Sequence, residues 1–169
     1  MYNKTMKTLV REKNKTQNIE REFTLHIMRI KRYVNLQKIL GEFIQHGKTS
    51  VYIHSRNVAY ISFVIARFCE KRFGTKIDYD VLVVGAMFHD FFLYDWHDPE
   101  KCPRFHGFKH PAIASKNAQE YYDINDKEKL IIETHMWPLT ITKFPKSFEA
   151  KIVCIADKCC SLSETIHRF

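Results

Sequence analysis

The sequence predicts an all-α fold, a single-domain bundle of about six main helices. Two observations support this fold class. Apolar residues make up 45% of the 169-residue chain, yet it holds only 5 Gly and 5 Pro, too few for the many tight turns of a sandwich or barrel. The apolar residues also recur mainly at helical spacing. A chain of this length suffices for one domain with its own core.

The first helix is predicted from Phe23 to His46, where apolar residues recur at helical spacing before Gly47, a plausible stop. Residues 1–22 lack this periodicity. We therefore expect a basic, flexible or only loosely helical N-terminal segment over 1–22, followed by a helical domain over 23–169.

The second helix is predicted to begin after Ser50, a good N-cap, and to end at Gly74. Its apolar stripe places His54 on the inward face. Asp78 caps a third helix that runs to about Asp90. The β-branched start of this segment resembles a strand, but its apolar run exceeds the usual strand length.

The segment from Tyr94 to Lys109 contains two prolines, a glycine and several charges, so we expect a loop. Pro111 suits the first turn of a fourth helix, which puts His110 at the mouth of that helix.

Asn125 and Glu128 have the spacing of a capping box and predict a fifth helix that ends before Pro138. This prediction places His135 in the last helical turn. Ser147 is the expected cap of a sixth helix, which continues through an apolar segment.

The charge and the cysteine content limit the possible partners and the cellular compartment. The net charge is +8, and residues 1–35 hold most of the excess, with nine Lys or Arg against three Glu. No regular interleaving of aromatic with basic residues and no known nucleic-acid-binding module accompanies this segment, which favours a solvated tail or helix face over a nucleic-acid-binding arm. The five cysteines form no C-x-x-C pair, and no signal-peptide-like or membrane-spanning run occurs. We expect a cytoplasmic protein with no membrane partner.

Six polar side chains interrupt the apolar helices. Alone, His54 would be a hydrogen-bonded core residue, Asp157 the partner of a nearby Lys or Arg, and His135 a helix C-terminal residue. Together they predict a metal site with nitrogen and oxygen ligands, which suits Fe, Mn, Ni or Zn, and the lack of Cys argues against structural zinc. The six residues are His54, His89, Asp90, His110, His135 and Asp157.

Three short segments carry a family resemblance: Ile53-His54-Ser55-Arg56-Asn57-Val58-Ala59, then His89-Asp90 after Gly85-Ala86-Met87-Phe88, then Ile155-Ala156-Asp157-Lys158. This pattern resembles the H, HD, D signature of the HD-domain metal-dependent phosphohydrolases, over roughly residues 50 to 165. The resemblance implies an HD-type helical domain. It also implies that His54, His89, Asp90 and Asp157 bind one divalent transition-metal ion, with His89 and Asp90 catalytic.

Members of that family with two metal ions have two further histidines between the doublet and the final Asp. The resemblance then implies Asp90 as a bridging carboxylate, with His110 and His135 on the second ion. His106, four residues before His110, is the alternative to His110. Phe91 and Phe92 replace the Ile-Gly that often follows the doublet, so no subfamily of known substrate is assigned.

The expected function is therefore hydrolysis of a phosphate ester or anhydride in a small molecule, with a nucleotide as the favoured substrate. Four basic residues are candidates for phosphate binding or are merely solvated: Arg104, Lys109, Lys143 and Lys158. Four aromatic residues would stack on a base or pack over the core: Tyr94, Trp96, Phe105 and Trp137.

Two other functions fit the same residues. Di-iron oxygenases resembling myo-inositol oxygenase share the six-ligand arrangement. A catalytically silent module would instead hold a nucleotide or a metal, with RNA on the basic N-terminal segment.

Overall fold

The structure is a computed structural model that describes residues 2–29 and 35–166. The predicted all-α class is confirmed, since helices dominate and the described residues form only two short strands. No helix in this part of the chain is long and apolar enough to cross a membrane. The elements in chain order are α1 (Tyr2–Arg29), α2 (Leu36–Gly41), β1 (Ile44–His46), β2 (Thr49–Ser50), α3 (Val51–Phe73), α4 (Tyr79–Phe88), α5 (His106–Tyr122), α6 (Asp126–Thr134) and α7 (Phe148–Ile166).

Helix α1 forms one compact unit, and the elements from α2 to α7 form another. The sequence predicts a loosely helical segment over 1–22, whereas a continuous helix covers 2–29. These residues include no Gly or Pro and many Lys, Arg, Glu, Met and Leu, so intrinsic propensity favours a helix even without an apolar stripe. The boundary between residues 22 and 23 stays a prediction.

The predicted helix from Phe23 to His46 is wrong at its C-terminal end. Helix α2 stops at Gly41, and β1 and β2 then pair as an antiparallel hairpin with Ile44 opposite Ser50. Gly47 has a φ of +59° and begins the two-residue connection of this hairpin. It is therefore a turn glycine rather than a helix stop, since hairpin turns favour glycine in this region.

The predicted caps of the other helices are confirmed. The Ser50 hydroxyl accepts a backbone N–H at 3.3 Å, and the Asp78 carboxylate accepts one at 3.2 Å. Asn125 and Glu128 form a reciprocal capping box at the start of α6. The Ser147 hydroxyl accepts a backbone N–H at 3.0 Å at the start of α7. Each cap supplies a partner for an otherwise unpaired amide of the first helical turn.

Helix α4 is the centre of the second unit, because its residues 81–88 are all buried. A helix that is apolar on every side needs such surroundings. At Gly85 an added Cβ would lie 2.7 Å from side-chain atoms of Ile131 on α6. His89 follows Gly85 by four residues, and His135 follows Ile131 by four. The glycine therefore lets α4 and α6 approach closely one helical turn before these two histidines.

Helix α5 begins at His106, so the predicted loop from Tyr94 to Lys109 ends earlier than expected. His110 lies in the second turn of the helix, not at its mouth. The backbone amide of Lys109 donates to the Phe105 carbonyl at 3.2 Å and starts the helix upstream of Pro111. Pro111 removes one helical hydrogen bond, a loss that the surrounding helix tolerates.

Candidate metal centre

The six polar residues singled out from the sequence converge in the interior, and each is at most 7% exposed. Five structural segments supply them: α3, the end of α4, α5, the end of α6, and α7. Their potential ligand atoms form two groups, each with all of its atoms within 4.8 Å of one another. The groups are His54 with His89 and Asp157, and Asp90 with His110 and His135.

The carboxylate of Asp90 lies between the two groups. Its Oδ2 atom is 3.3 Å from Nε2 of His89 and 3.7 Å from Nε2 of His54. Its Oδ1 atom is 3.2 Å from Nε2 of His110 and 3.5 Å from Nε2 of His135. Each oxygen thus faces a different pair of imidazoles, the arrangement that a bridging carboxylate requires.

Hydrogen bonds to the backbone orient three of the four imidazoles. A carbonyl oxygen only accepts, so the Nδ1 atom that contacts it carries a proton, and in the neutral ring Nε2 is then the atom with the lone pair. The three Nδ1 to carbonyl distances are 2.7 Å from His89 to Ala86, 3.2 Å from His110 to His106, and 2.7 Å from His135 to Ile132. These lone pairs therefore point into the centre.

The donor set fits divalent metal ions. Nε2 of His89 and Oδ1 of Asp90 are buried without a hydrogen-bond partner. The Nε2 atoms of His110 and His135 face each other at 2.9 Å, and in neutral rings that carry the proton on Nδ1 these two atoms are both acceptors. Buried atoms of this kind are costly without a partner, and a cation bound in each of the two groups would provide one.

The protonation states in the metal-free protein are set by burial and by charge. Burial lowers the pKa of His135 to about 3, so this imidazole is neutral. For His54, burial lowers the pKa, but hydrogen bonds to Asp157 and Glu164 outweigh it and raise the pKa to about 9. Burial opposes ionisation of Asp90, but the neighbouring His89 holds its pKa well below the usual range. For His89, burial lowers the pKa, but the charge of Asp90 and the hydrogen bond to Asp157 outweigh it and hold the pKa well above its usual value. A cation would thus meet ionised carboxylates and displace protons from His54 and His89.

The HD-domain family model matches residues 51–162, a stretch that includes all six residues of the two groups. The chain belongs to the HD-domain family. HD domains bind divalent metal ions and are in general metal-dependent phosphohydrolases. Comparisons with curated proteins and with solved structures gave no match.

Three residues that the sequence did not single out contact the HD-domain centre. The Ser161 hydroxyl on α7 donates to Oδ1 of Asp157 at 3.2 Å, and the other two, Gln45 and Glu164, lie outside the matched stretch. Gln45 on β1 donates from Nε2 to Oδ2 of Asp90 at 2.6 Å, while its Oε1 is buried without a partner. Glu164 on α7 lies 2.8 Å from Nδ1 of His54. The spacing of seven residues between Asp157 and Glu164 was a usable signal, because it puts both on one helix face. Gln45 gave no signal, since its segment was predicted to be helical.

His106, the alternative to His110, belongs to neither group of this HD domain. Its Nδ1 atom is 2.8 Å from the Tyr94 hydroxyl, and its ring stacks on Trp96 with centroids 5.4 Å apart. Burial lowers the pKa of His106 to about 4. The ring of His106 also stacks on that of His110 at 4.7 Å, so it forms a wall beside the centre.

Lys158, a predicted phosphate ligand, has its ammonium group at the end of α6. It donates to the carbonyls of His135 at 2.9 Å and Cys154 at 3.2 Å, and it lies 3.3 Å from Sγ of Cys154. The ammonium would have to leave these acceptors to reach a phosphate. In this arrangement it fixes the backbone that carries His135.

The other three predicted phosphate ligands are exposed. Lys143 donates to a carboxylate oxygen of Glu133 at 3.4 Å. The Arg104 guanidinium lies over the ring of Phe105, 4.9 Å from its centroid, and Phe105 is 61% exposed. Lys109 lies on the first turn of α5. Of the predicted base-stacking aromatics, Trp96 contacts His106, and Trp137 packs edge-on against a phenylalanine of the following loop.

Proposed function

We propose that this chain is a metal-dependent hydrolase of a phosphate ester or anhydride, with a nucleotide as its substrate. The observation that carries the proposal is the position of Asp90, whose two oxygens face two separate pairs of imidazoles. Two ions, if bound on either side of this carboxylate, would supply the charge stabilisation that displacement at phosphorus needs.

In this proposal His54, His89, Asp90 and Asp157 hold one ion, and Asp90, His110 and His135 hold the second. Divalent Fe, Mn, Ni or Zn bound there would lower the pKa of a water molecule and offset the negative charge of the phosphoryl oxygens. His89 and Asp90 are the proposed catalytic residues, since Asp90 joins both groups and His89 precedes it directly. The buried helices keep these side chains in a fixed geometry, which is the main contribution of a protein to phosphoryl transfer.

The substrate residues are proposed from the segment that leads into α5. Arg104 and Lys109 are exposed cations on either side of His106, whose carbonyl contacts His110. Phe105 between them exposes most of its ring. Cations for phosphates beside an aromatic face for a base favour a nucleotide. Lys143 is a further candidate cation from the loop after α6, whereas Lys158 is proposed to position His135.

The test combines elemental analysis with a panel of nucleotides scored for phosphate release. We expect bound transition metal in the purified protein and phosphate release that a chelator abolishes. Asp90→Asn should lose metal and activity, because an amide is a poor bridging ligand. Asp80→Asn, which changes an exposed carboxylate on the same helix, is the matched control. An Asp90→Asn protein with full metal content and full activity would refute the proposal.

The same panel separates the other two functions. Each nucleotide is incubated with and without dioxygen. If turnover consumes dioxygen and releases no phosphate, the protein is a di-iron oxygenase and the hydrolase proposal is wrong. Saturable nucleotide binding by the metal-loaded protein without any turnover would identify a silent binding module.

A further inference from the structure

His54 differs from the other three imidazoles in the partner of its Nδ1 atom. The other three donate to backbone carbonyls a few residues earlier in their own segments. Nδ1 of His54 instead lies 2.8 Å from Oε2 of Glu164, which is 110 residues away in sequence. The Glu164 side chain is only 10% exposed. We infer that Glu164 is a positioning residue that fixes His54 as a metal ligand, an inference that rests on the proposed metal centre.

Helix α7 supplies carboxylates to both sides of the His54 ring. Oδ1 of Asp157 is 3.2 Å from Nε2, and Glu164 contacts Nδ1. The two acids are two helical turns apart, so they project from the same face of α7. Asn57, on α3, donates to the other carboxylate oxygen of Glu164 at 3.3 Å and orients it. Because both of its oxygens are bound, this partly buried carboxylate is held in a defined position relative to the imidazole.

A carboxylate that accepts from Nδ1 strengthens a histidine as a metal ligand more than a backbone carbonyl does. It accepts the Nδ1 proton, which leaves the lone pair on Nε2, and its negative charge raises the basicity of the ring. The negative charge near the His54 group then comes from Asp157, from Glu164 and from one oxygen of Asp90. In the group of His110 and His135, the negative charge comes only from the other oxygen of Asp90. The ion beside His54 should therefore bind more tightly and fill first.

Glu164 also lines a cavity of about 280 Å³ between α3 and α7, together with Asn57, Tyr60, Ile61, Cys159, Cys160 and Ser163. Truncation of Glu164 to alanine would open a space that joins this cavity. A formate ion is small enough to enter it and to accept the proton of His54 in place of the missing carboxylate. A side chain that only fills space would not be replaced in this way.

The experiment titrates metal-free protein with Mn²⁺ and with Zn²⁺ by calorimetry. We expect Glu164→Ala to weaken the tighter site about 10–100-fold. Glu164→Gln should weaken it less, because the amide oxygen still accepts the proton but carries no charge. Ser163→Ala is the matched control, since it alters the same cavity and helix without a contact to His54. Circular dichroism establishes that each variant is folded, and Glu164→Gln carries the test if the alanine variant does not fold.

Two further readouts separate positioning from packing. Formate should restore the metal affinity of Glu164→Ala and leave that of the wild type unchanged. In nitrogen-detected NMR of the metal-free protein, the Nδ1–H signal of His54 should be lost in Glu164→Ala. Wild-type affinity in folded Glu164→Ala, or an equal loss in Ser163→Ala, would overturn the inference.

These titrations need no substrate, so the two proposals fail separately. If metal affinity depends on Glu164 but the protein hydrolyses no phosphate compound, the positioning role is supported and the proposed hydrolase function is rejected. If the protein releases phosphate in a metal-dependent reaction but Glu164→Ala binds metal with wild-type affinity, only the positioning role of Glu164 is rejected.

Discussion

The Nε2 atoms of His110 and His135 lie 2.9 Å apart in the protein interior. Helix α5 and the end of α6 bring them together from positions 25 residues apart. When both rings are neutral, the contacts of Nδ1 with backbone carbonyls leave a lone pair on each Nε2, so the two Nε2 atoms cannot hydrogen-bond to each other. Two lone pairs at this distance repel unless a cation lies between them. This pair is therefore the strongest local reason to expect a second metal ion.

The first prediction compares His110 with His106. His110→Ala should lower the metal-to-protein ratio from about two to about one, because the second ion loses one of three protein ligands. His106→Ala should keep the full ratio, since His106 bonds to Tyr94 and lies in neither group. Elemental analysis of both variants gives the answer. The reverse result, with metal lost only from His106→Ala, would make His106 the ligand.

The second prediction concerns metal removal. An ion that binds the folded chain but not the unfolded chain stabilises the fold, by about 2.7 kcal/mol when its concentration is 100 times its Kd. Chelation should therefore lower Tm, and added Mn²⁺ or Zn²⁺ should restore it. The measurement is a thermal melt with and without chelator. The control is Asp157→Asn, whose melt should respond less to the chelator. Equal shifts in both proteins would contradict a role for Asp157 in metal binding.

The third prediction tests the nucleotide residues at the start of α5. Arg104→Ala and Lys109→Ala should each raise KM about 10-fold with a smaller change in kcat, because they would contact the phosphates without touching the reacting atoms. Lys101→Ala is the control, since Lys101 is an exposed cation of the same loop that pairs with Asp98 at 3.0 Å. Steady-state kinetics on the best nucleotide of the panel decides. Equal KM values in all three variants would exclude this segment from substrate binding.

The fourth prediction concerns the contact between Gly85 and Ile131. In Gly85→Ala the new methyl group would overlap Ile131, at a cost of about 1–3 kcal/mol that exceeds the roughly 1 kcal/mol gained in helix propensity. The free energy of unfolding should fall, and metal content should fall with it, because His89 and His135 follow these residues by one turn.

Gly41→Ala is the control for this contact, because nothing lies within 4 Å of the added Cβ. Its stability should be unchanged or higher by at most about 1 kcal/mol. Urea denaturation measures both variants. A Gly85→Ala protein as stable as the wild type would show that α4 and α6 can separate without loss.

Much of the fold follows from local sequence. The caps at Ser50, Asp78, Asn125 and Ser147 were predictable because a cap depends on a side chain and an amide only two or three residues later. The six polar residues were predictable because each lies on or at the end of a predicted helix, most of them with apolar neighbours, and a helix bundle can bring such side chains together. The continuous helix α1 was missed because its propensity, not an apolar stripe, favours it.

The sequence by itself determined the helical class, the caps and the six polar residues of the centre. Only the tertiary structure decided which atoms meet. It placed His110 rather than His106 opposite His135, and it brought Gln45 and Glu164 to the centre from outside the stretch that the family model matches. It also placed the Lys158 ammonium group where it donates a hydrogen bond to the His135 carbonyl at the end of α6. The physical reason is that these contacts join residues far apart in the chain, so they depend on how the helices pack and not on the pattern within any one helix.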